Sequence, residues 1–260
     1  MKRHIKHALA TVIYASRSYR WFFRDKAVIV LFHRVDDRLK GNPISCTVAE
    51  FVACCTFFRR YFTVVPLGAL LGKLQRREDI SRHLVITFDD GYKDNILTAA
   101  PVLRRFGLPA TFFVATNFIG SHYVPWWDAE YAITPEWMSW HDVRALRAQG
   151  FEIGAHTQNH VDLGIVQGDD AVAEITGAQQ RLLAETTERV PYFSYPYGRI
   201  DQISEANRQA VRQAGYCCCL SAYGGAVGRG SDAFDVKRIP FSPWYISPYH
   251  FGFEMLREHA

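Results

Sequence analysis

Two adjacent carboxylates, Asp89 and Asp90, follow the apolar run Leu84–Phe88 (LVITF) and precede Gly91. Two imidazoles four residues apart, His156 and His160, follow a second such run, Phe151–Gly154. A spacing of four puts both rings on one side of a helical turn. With one carboxylate they form a His2Asp donor set with a position left open for water, as catalytic zinc requires. Unpaired buried charge is costly, so the two aspartates cannot both be ordinary core residues. A division of labour accounts for them: one binds the metal, and the other takes a proton from the attacking water.

Two further segments end in the same way. Ala27–Phe32 (AVIVLF) runs into His33, and Tyr192–Tyr195 (YFSY) runs into Pro196-Tyr197-Gly198. In α/β sheets the reactive site lies at the carboxyl ends of the strands, so these segments aim at one face. A lone HxxxH is a weak signal; the convergence of separate strand ends is a stronger one.

The elements that must position these groups alternate along the chain. Strands are expected at Ala27–Phe32, 63–65, Leu84–Phe88, Ala110–Ala115, Phe151–Gly154, 192–195, Cys217–Leu220 and Val236–Ile239. Between them lie helical patterns, two of which open on capping boxes, Thr47-x-x-Glu50 and Ser139-x-x-Asp142. Another runs to Phe106, interrupted by Pro101 and closed by Gly107. Repeated βα units predict one α/β domain over 26–260 with a parallel sheet, and no linker or repeat divides it. Residues 119–135 form a long loop rich in aromatics (Tyr123, Trp126, Trp127, Tyr131), of the kind that stacks on sugar rings or caps a core.

Thr87-Phe-Asp-Asp-Gly91, His156-Thr-x-x-His160 and Tyr195-Pro-Tyr-Gly198, in this order and spacing, resemble the first three motifs of the polysaccharide deacetylases, the NodB-homology or carbohydrate esterase 4 group. The likeness runs from about Val28 to Ile239. It implies a distorted (β/α) barrel of about seven strands that removes acetyl groups from sugars with a divalent metal, zinc foremost. By position, Asp89 resembles the catalytic base and Asp90, His156 and His160 the metal ligands. Thr157 would hold the ligand turn by hydrogen bonding. Tyr197 falls where the family uses a backbone N–H for the oxyanion, its ring walling the acetyl pocket, and Trp126 and Trp127 are candidates for substrate binding.

The sequence departs from the family pattern twice. Ser194 stands where an arginine usually braces the catalytic aspartate, and Arg238 is the candidate to supply that charge. The late Leu-x-His motif that carries the general acid is missing. His250 and His259 lie in unsuitable contexts, and His33 is the substitute candidate. The reading is a hydrolase that deacetylates N-acetylated amino sugars of a glycan, oligosaccharide or lipid-linked saccharide. The alternatives are a catalytically silent sugar-binding relative and a deacylase or deformylase of a nucleotide- or lipid-linked sugar.

Composition narrows the class. In 260 residues, 48% are hydrophobic and 22% charged, and 30 Lys and Arg oppose 26 Asp and Glu. Such a balance excludes disorder and argues against nucleic acid as a partner. No apolar run approaches the roughly 20 residues of a membrane span. The six cysteines lack CxxC spacing and read as reduced core thiols, which favours a cytoplasmic setting with export left open. Residues 1–25 form a basic amphipathic segment with Ile13, Tyr14, Trp21, Phe22 and Phe23 beside Arg17, Arg20 and Arg24. It suits either packing on the domain or contact with an anionic membrane surface.

Overall fold

The structure, a computed structural model, describes residues 2–257. Strands β1 (Lys26–Phe32), β2 (His83–Phe88), β3 (Thr111–Val114), β4 (Glu152–Ala155), β5 (Tyr192–Ser194) and β6 (Cys218–Leu220) lie side by side in chain order. Every neighbouring pair is parallel. Val227–Gly228 adds an antiparallel seventh strand on the free edge of β1. The sheet curls into a half-barrel, and the C-termini of the six parallel strands open on one end.

The seam between the last strand and the first is spanned by one short stretch of chain. Val236 bridges Leu220 of β6, and β7 (Ile239–Pro240) pairs parallel with Val30 and Leu31 of β1. The expected strand Val236–Ile239 is therefore split, because the chain leaves one sheet edge and joins the other within a few residues. Arg238 lies between the two attachments.

Alternate residues of the strands face two cores, as a period of two requires. Val28, Val30, Phe32, Ile86, Phe88 and Phe112 face the surrounding helices. Ala27, Ile29, Val85 and Phe113 fill the interior with Leu67 and Leu70. The α-helices of seven or more residues are α1 (Lys2–Ala15), α2 (Val48–Tyr61), α3 (Leu67–Gln75), α4 (Ala100–Phe106), α5 (Trp140–Ala148), α6 (Gly168–Thr186), α7 (Glu205–Gln213) and α8 (Pro248–Arg257), and Trp126–Ala129 forms a single helical turn in the aromatic loop. Both expected capping boxes form, Thr47 with Glu50 on α2 and Ser139 with Asp142 on α5.

Several expectations need correction. Pro101 does not break the helix: the chain stays helical through it, passing from a π-helical stretch over Asn95–Ala99 into α4 one residue before the proline. Cys217 is exposed, whereas Cys46, Cys54, Cys55, Cys218 and Cys219 are buried. Helix α8 was not anticipated, although Ser247-Pro248 marks its start: the Ser247 hydroxyl accepts from the His250 N–H at 3.1 Å and Pro248 takes the first helical position. His250 is buried on it, accepting a bond from the Ile246 N–H at 3.3 Å, while His259 lies outside the described residues. Residues 2–25 are seated on the domain, with Ala10, Tyr14, Tyr19 and Phe23 buried and Tyr14 packed among Phe57, Tyr61 and Tyr249.

Candidate active site

The C-terminal end of the half-barrel opens into a cavity of about 340 Å3, whose lining includes His33, Asp89, Asp90, His156, His160, Trp126, Trp127 and Tyr197. Of the predicted site residues only Arg238 is outside this lining, because it lies directly beneath it, fully buried.

Arg238 donates from Nη1 to Asp89 Oδ1 at 2.8 Å and from Nη2 to Asp89 Oδ2 at 2.7 Å. Its Nε donates to the Ser221 carbonyl at 2.6 Å, and Nη1 also reaches Thr87 Oγ1 at 3.2 Å. Ser194 completes the clamp, accepting from Nη2 at 2.6 Å and donating to Asp89 Oδ2 at 3.2 Å. The small Ser194 side chain leaves room for a guanidinium that arrives from the seam instead of from β5. Burial alone would raise the Asp89 pKa, but the Arg238 guanidinium outweighs it and holds the carboxyl below its ordinary value.

Asp90 turns the other way. The chain bends sharply after β2, with Asp90 at φ +77° and Gly91 at φ +94°. Asp90 Oδ1 lies 3.4 Å from His156 Nε2 and 3.2 Å from His160 Nε2. His156 Nδ1 lies 2.8 Å from the Ser194 carbonyl. A carbonyl only accepts, so Nδ1 carries a proton; with Nε2 unprotonated, as a metal ligand must be, the ring aims a lone pair at a carboxylate. Two acceptors face each other there, and Asp90 Oδ1 is a buried oxygen with no hydrogen-bond donor. A cation between them resolves the conflict. The donor atoms of Asp90, His156 and His160 lie within 4.8 Å of one another, so the set fits a small divalent ion.

The two histidines do not share a helical turn, contrary to the expectation from their spacing. Residues 157–159 form a turn, and Thr157 and His160 adopt left-handed backbone, with φ of +59° and +55°. The Thr157 hydroxyl has no partner; its carbonyl accepts from the Thr116 N–H at 3.2 Å. What holds the turn is Glu174 on α6, whose Oε2 accepts from the Gln158 and Asn159 N–H groups at 3.0 and 2.9 Å. Tyr197 is also left-handed, at φ +58°, followed by Gly198, where a Cβ would stand 2.3 Å from the Ala222 nitrogen. Asp90, Thr157, His160 and Tyr197 thus concentrate costly backbone at one site, as functional sites do.

The aromatic loop forms the remaining wall. The Trp127 ring lies 4.7 Å from that of His160, and Trp126 Nε1 donates to the Tyr197 hydroxyl at 3.3 Å. Trp127 is fixed from behind. Its Nε1 donates to Tyr92 Oη at 2.8 Å, and Tyr92 donates to Asp128 Oδ2 at 2.9 Å. Arg34 joins this network, reaching Asp128 at 3.3 Å and Asp94 at 3.2 Å and lying 4.2 Å over the Tyr92 ring.

His33 stands half-buried at the end of β1, its carbonyl accepting from Asn95 Nδ2 at 2.8 Å. Burial lowers its pKa; Asp90 and Asp89 pull it back up, and Arg238 and His156 push it further down. Glu174 and the Arg34–Asp128–Tyr92 network escaped the sequence reading. Neither forms a local motif, and each acts across a fold contact between distant segments.

The sequence profile described as polysaccharide deacetylase matches residues 76–218. YxkH of Bacillus subtilis (strain 168), assigned by name to the polysaccharide deacetylases, is 26% identical over 220 residues, covering 84% of this chain and 72% of that protein. The chitin deacetylase of Colletotrichum lindemuthianum is 28% identical over 121 residues, 46% of this chain and 42% of that protein. Among solved structures, the Streptococcus pyogenes deacetylase PplD in complex with acetate shares the fold, with a TM-score of 0.73 at 18% identity over 88% of this chain and 98% of that one. With its profile match spanning more than half of the sequence, this chain belongs to the polysaccharide deacetylase family.

Proposed function

We propose that the protein hydrolyses the acetamide of N-acetylated amino sugars within a glycan, oligosaccharide or lipid-linked saccharide, releasing acetate and a free amine. The observation that carries this reading is the pairing of an arginine-clamped carboxylate, Asp89, with the adjacent Asp90–His156–His160 donor set in one cavity. The relatives named for chitin and polysaccharide deacetylation support the substrate class.

Asp90, His156 and His160 would hold a divalent ion, with zinc the best match to a two-nitrogen, one-oxygen set. Bound there, such an ion polarises the acyl oxygen and makes water more acidic. Asp89, kept ionised by Arg238, accepts a proton from the attacking water, whose oxygen adds to the acetyl carbon. The Tyr197 N–H, presented by its left-handed turn, donates to the oxygen on which negative charge develops. His33 delivers a proton to the departing nitrogen as the C–N bond breaks. Negative charge gathering in the cavity raises an imidazole pKa, which offsets the burial of His33. Trp126, Trp127 and Tyr197 offer ring faces to the sugar.

The test is acetate release from N-acetylglucosamine oligomers, with new amine measured in parallel. Equal amounts of acetate and amine are expected. Binding of the oligomers without release of either would instead make the protein a sugar-binding relative that performs no hydrolysis.

A further inference from the structure

Helix α1 has two apolar faces, and the fold uses only one. Ala10 and Tyr14 are buried against the domain, whereas Ile5, Leu9 and Val12 are 51, 49 and 66% exposed. These three recur at helical spacing, and on the same side Ala8, Ala15 and the following Ser16 are exposed and uncharged, with Lys2 at the helix start the one charge. A surface helix of a soluble domain ordinarily turns charged residues outward along this arc. Beyond the helix the indole of Trp21 is 74% exposed.

Charge is segregated to the same segment. Residues 1–25 hold six of the Lys and Arg residues and one acid, Asp25, so the remaining 24 basic residues are set against 25 acids. Lys6 is paired with Glu254, and Asp25 with Arg229. Lys2, Arg3, Arg17, Arg20 and Arg24 are exposed, with no ion-pair partner among the described residues.

We infer that this face docks the protein onto the surface of an anionic phospholipid bilayer, with Ile5, Leu9, Val12 and Trp21 entering the headgroup boundary and the flanking cations meeting lipid phosphates. An exposed apolar stripe beside unpaired basic residues and an interfacial indole is the pattern of a helix lying in the membrane plane. The charge complementarity favours lipid over a second copy of the chain, since a twofold contact would bring two strongly basic faces together. No helix among the described residues is long and apolar enough to cross a membrane, so the contact is with the surface. This inference does not depend on the proposed deacetylation.

The experiment is co-sedimentation of the full chain with phosphatidylcholine vesicles, with and without roughly one-third phosphatidylglycerol. At about 0.15 M salt the protein should partition onto anionic vesicles at least ~10-fold better than onto neutral ones, and raising the salt should weaken this. Ile5→Ser/Leu9→Ser/Val12→Ser and, separately, Arg17→Gln/Arg20→Gln/Arg24→Gln should each reduce that binding about tenfold or more. Their melting temperatures and acetate release from soluble oligomers should be unchanged, because none of these side chains is in the core or the cavity. Equal binding to both vesicle types, binding to neither, or retention by the triple serine variant would overturn the inference. So would a concentration-dependent dimer that the serine variant abolishes, which would assign the face to a second copy.

Discussion

The guanidinium of Arg238 holds both carboxylate oxygens of Asp89, at 2.8 and 2.7 Å, from a position 149 residues later in the chain. It can do so because residues 236–240 run along the seam of the half-barrel, bonded to β6 on one side and β1 on the other. Removing the cation should raise the pKa of Asp89, since Arg238 is the chief group opposing the cost of its burial. Arg238→Ala should therefore move the acidic limb of the kcat/KM profile to higher pH. It should also destabilise the fold by about 3–5 kcal/mol, because a buried charge loses its partner. Arg238→Lys keeps a charge without the two-pronged grip and should show a smaller shift of the limb. An unmoved limb in Arg238→Ala would separate Asp89 from the rate-determining ionisation.

The two adjacent aspartates face different partners, and their substitutions should differ accordingly. Asp89→Asn removes the proposed base and leaves the Asp90–His156–His160 donors in place. It should retain bound metal in elemental analysis while turnover falls by about 10²–10⁴. Asp90→Asn weakens the donor set itself and should lose metal and turnover together. Identical metal content and residual rate in the two variants would contradict the division of roles.

How much of this was legible in the sequence depends on how local each signal was. The strand-end clusters Asp89-Asp90, His156/His160 and Tyr197 could be read because an apolar run and its polar terminus are contiguous. The Thr47 and Ser139 capping boxes are equally local and lie where expected. The spacing of His156 and His160 was ambiguous, because four residues bring two rings together either on a helix or across a tight turn. Left-handed Thr157 and His160 choose the turn. Arg238 could be proposed from the missing arginine at position 194, but its reach depends on the seam, which no local pattern encodes. Glu174 and Asp128 were invisible for the same reason: each bonds to a segment far away in sequence, and a lone acid on a helix looks solvated until the fold supplies its partner.

Asp128 is fully buried, and it ties the aromatic loop to Arg34, just beyond β1, and to Tyr92. Asp128→Ala would leave Arg34 with Asp94 alone and free the tyrosine that positions Trp127. A loss of about 3–5 kcal/mol in urea unfolding is expected. Asp128→Asn keeps the shape and part of the bonding, and should raise KM for oligosaccharides more than it lowers kcat, because it loosens a wall of the cavity and not the reacting groups. A fall in kcat with KM unchanged would show that the network serves the chemistry and not the sugar.

His33 lines the same cavity as the donor set, and burial holds its imidazole below the ordinary value. If His33 provides the proton for the leaving nitrogen, activity requires its protonated form and declines as pH rises through its pKa. With that pKa lowered in the free protein, the alkaline limb of kcat/KM should fall on the acid side of an ordinary imidazole, whereas charge gathering in the occupied cavity should move the limb of kcat to higher pH. His33→Ala should abolish the limb and reduce amide hydrolysis by about 10²–10⁴. An aryl acetate, whose leaving group departs without a proton, should be hydrolysed at a rate much closer to that of the unaltered protein. His33→Gln separates proton donation from simple hydrogen bonding, since glutamine can contact the nitrogen but cannot deliver a proton to it. If His33→Gln retained the amide rate and the alkaline limb, His33 would be a binding residue and the proton would have to come from another group.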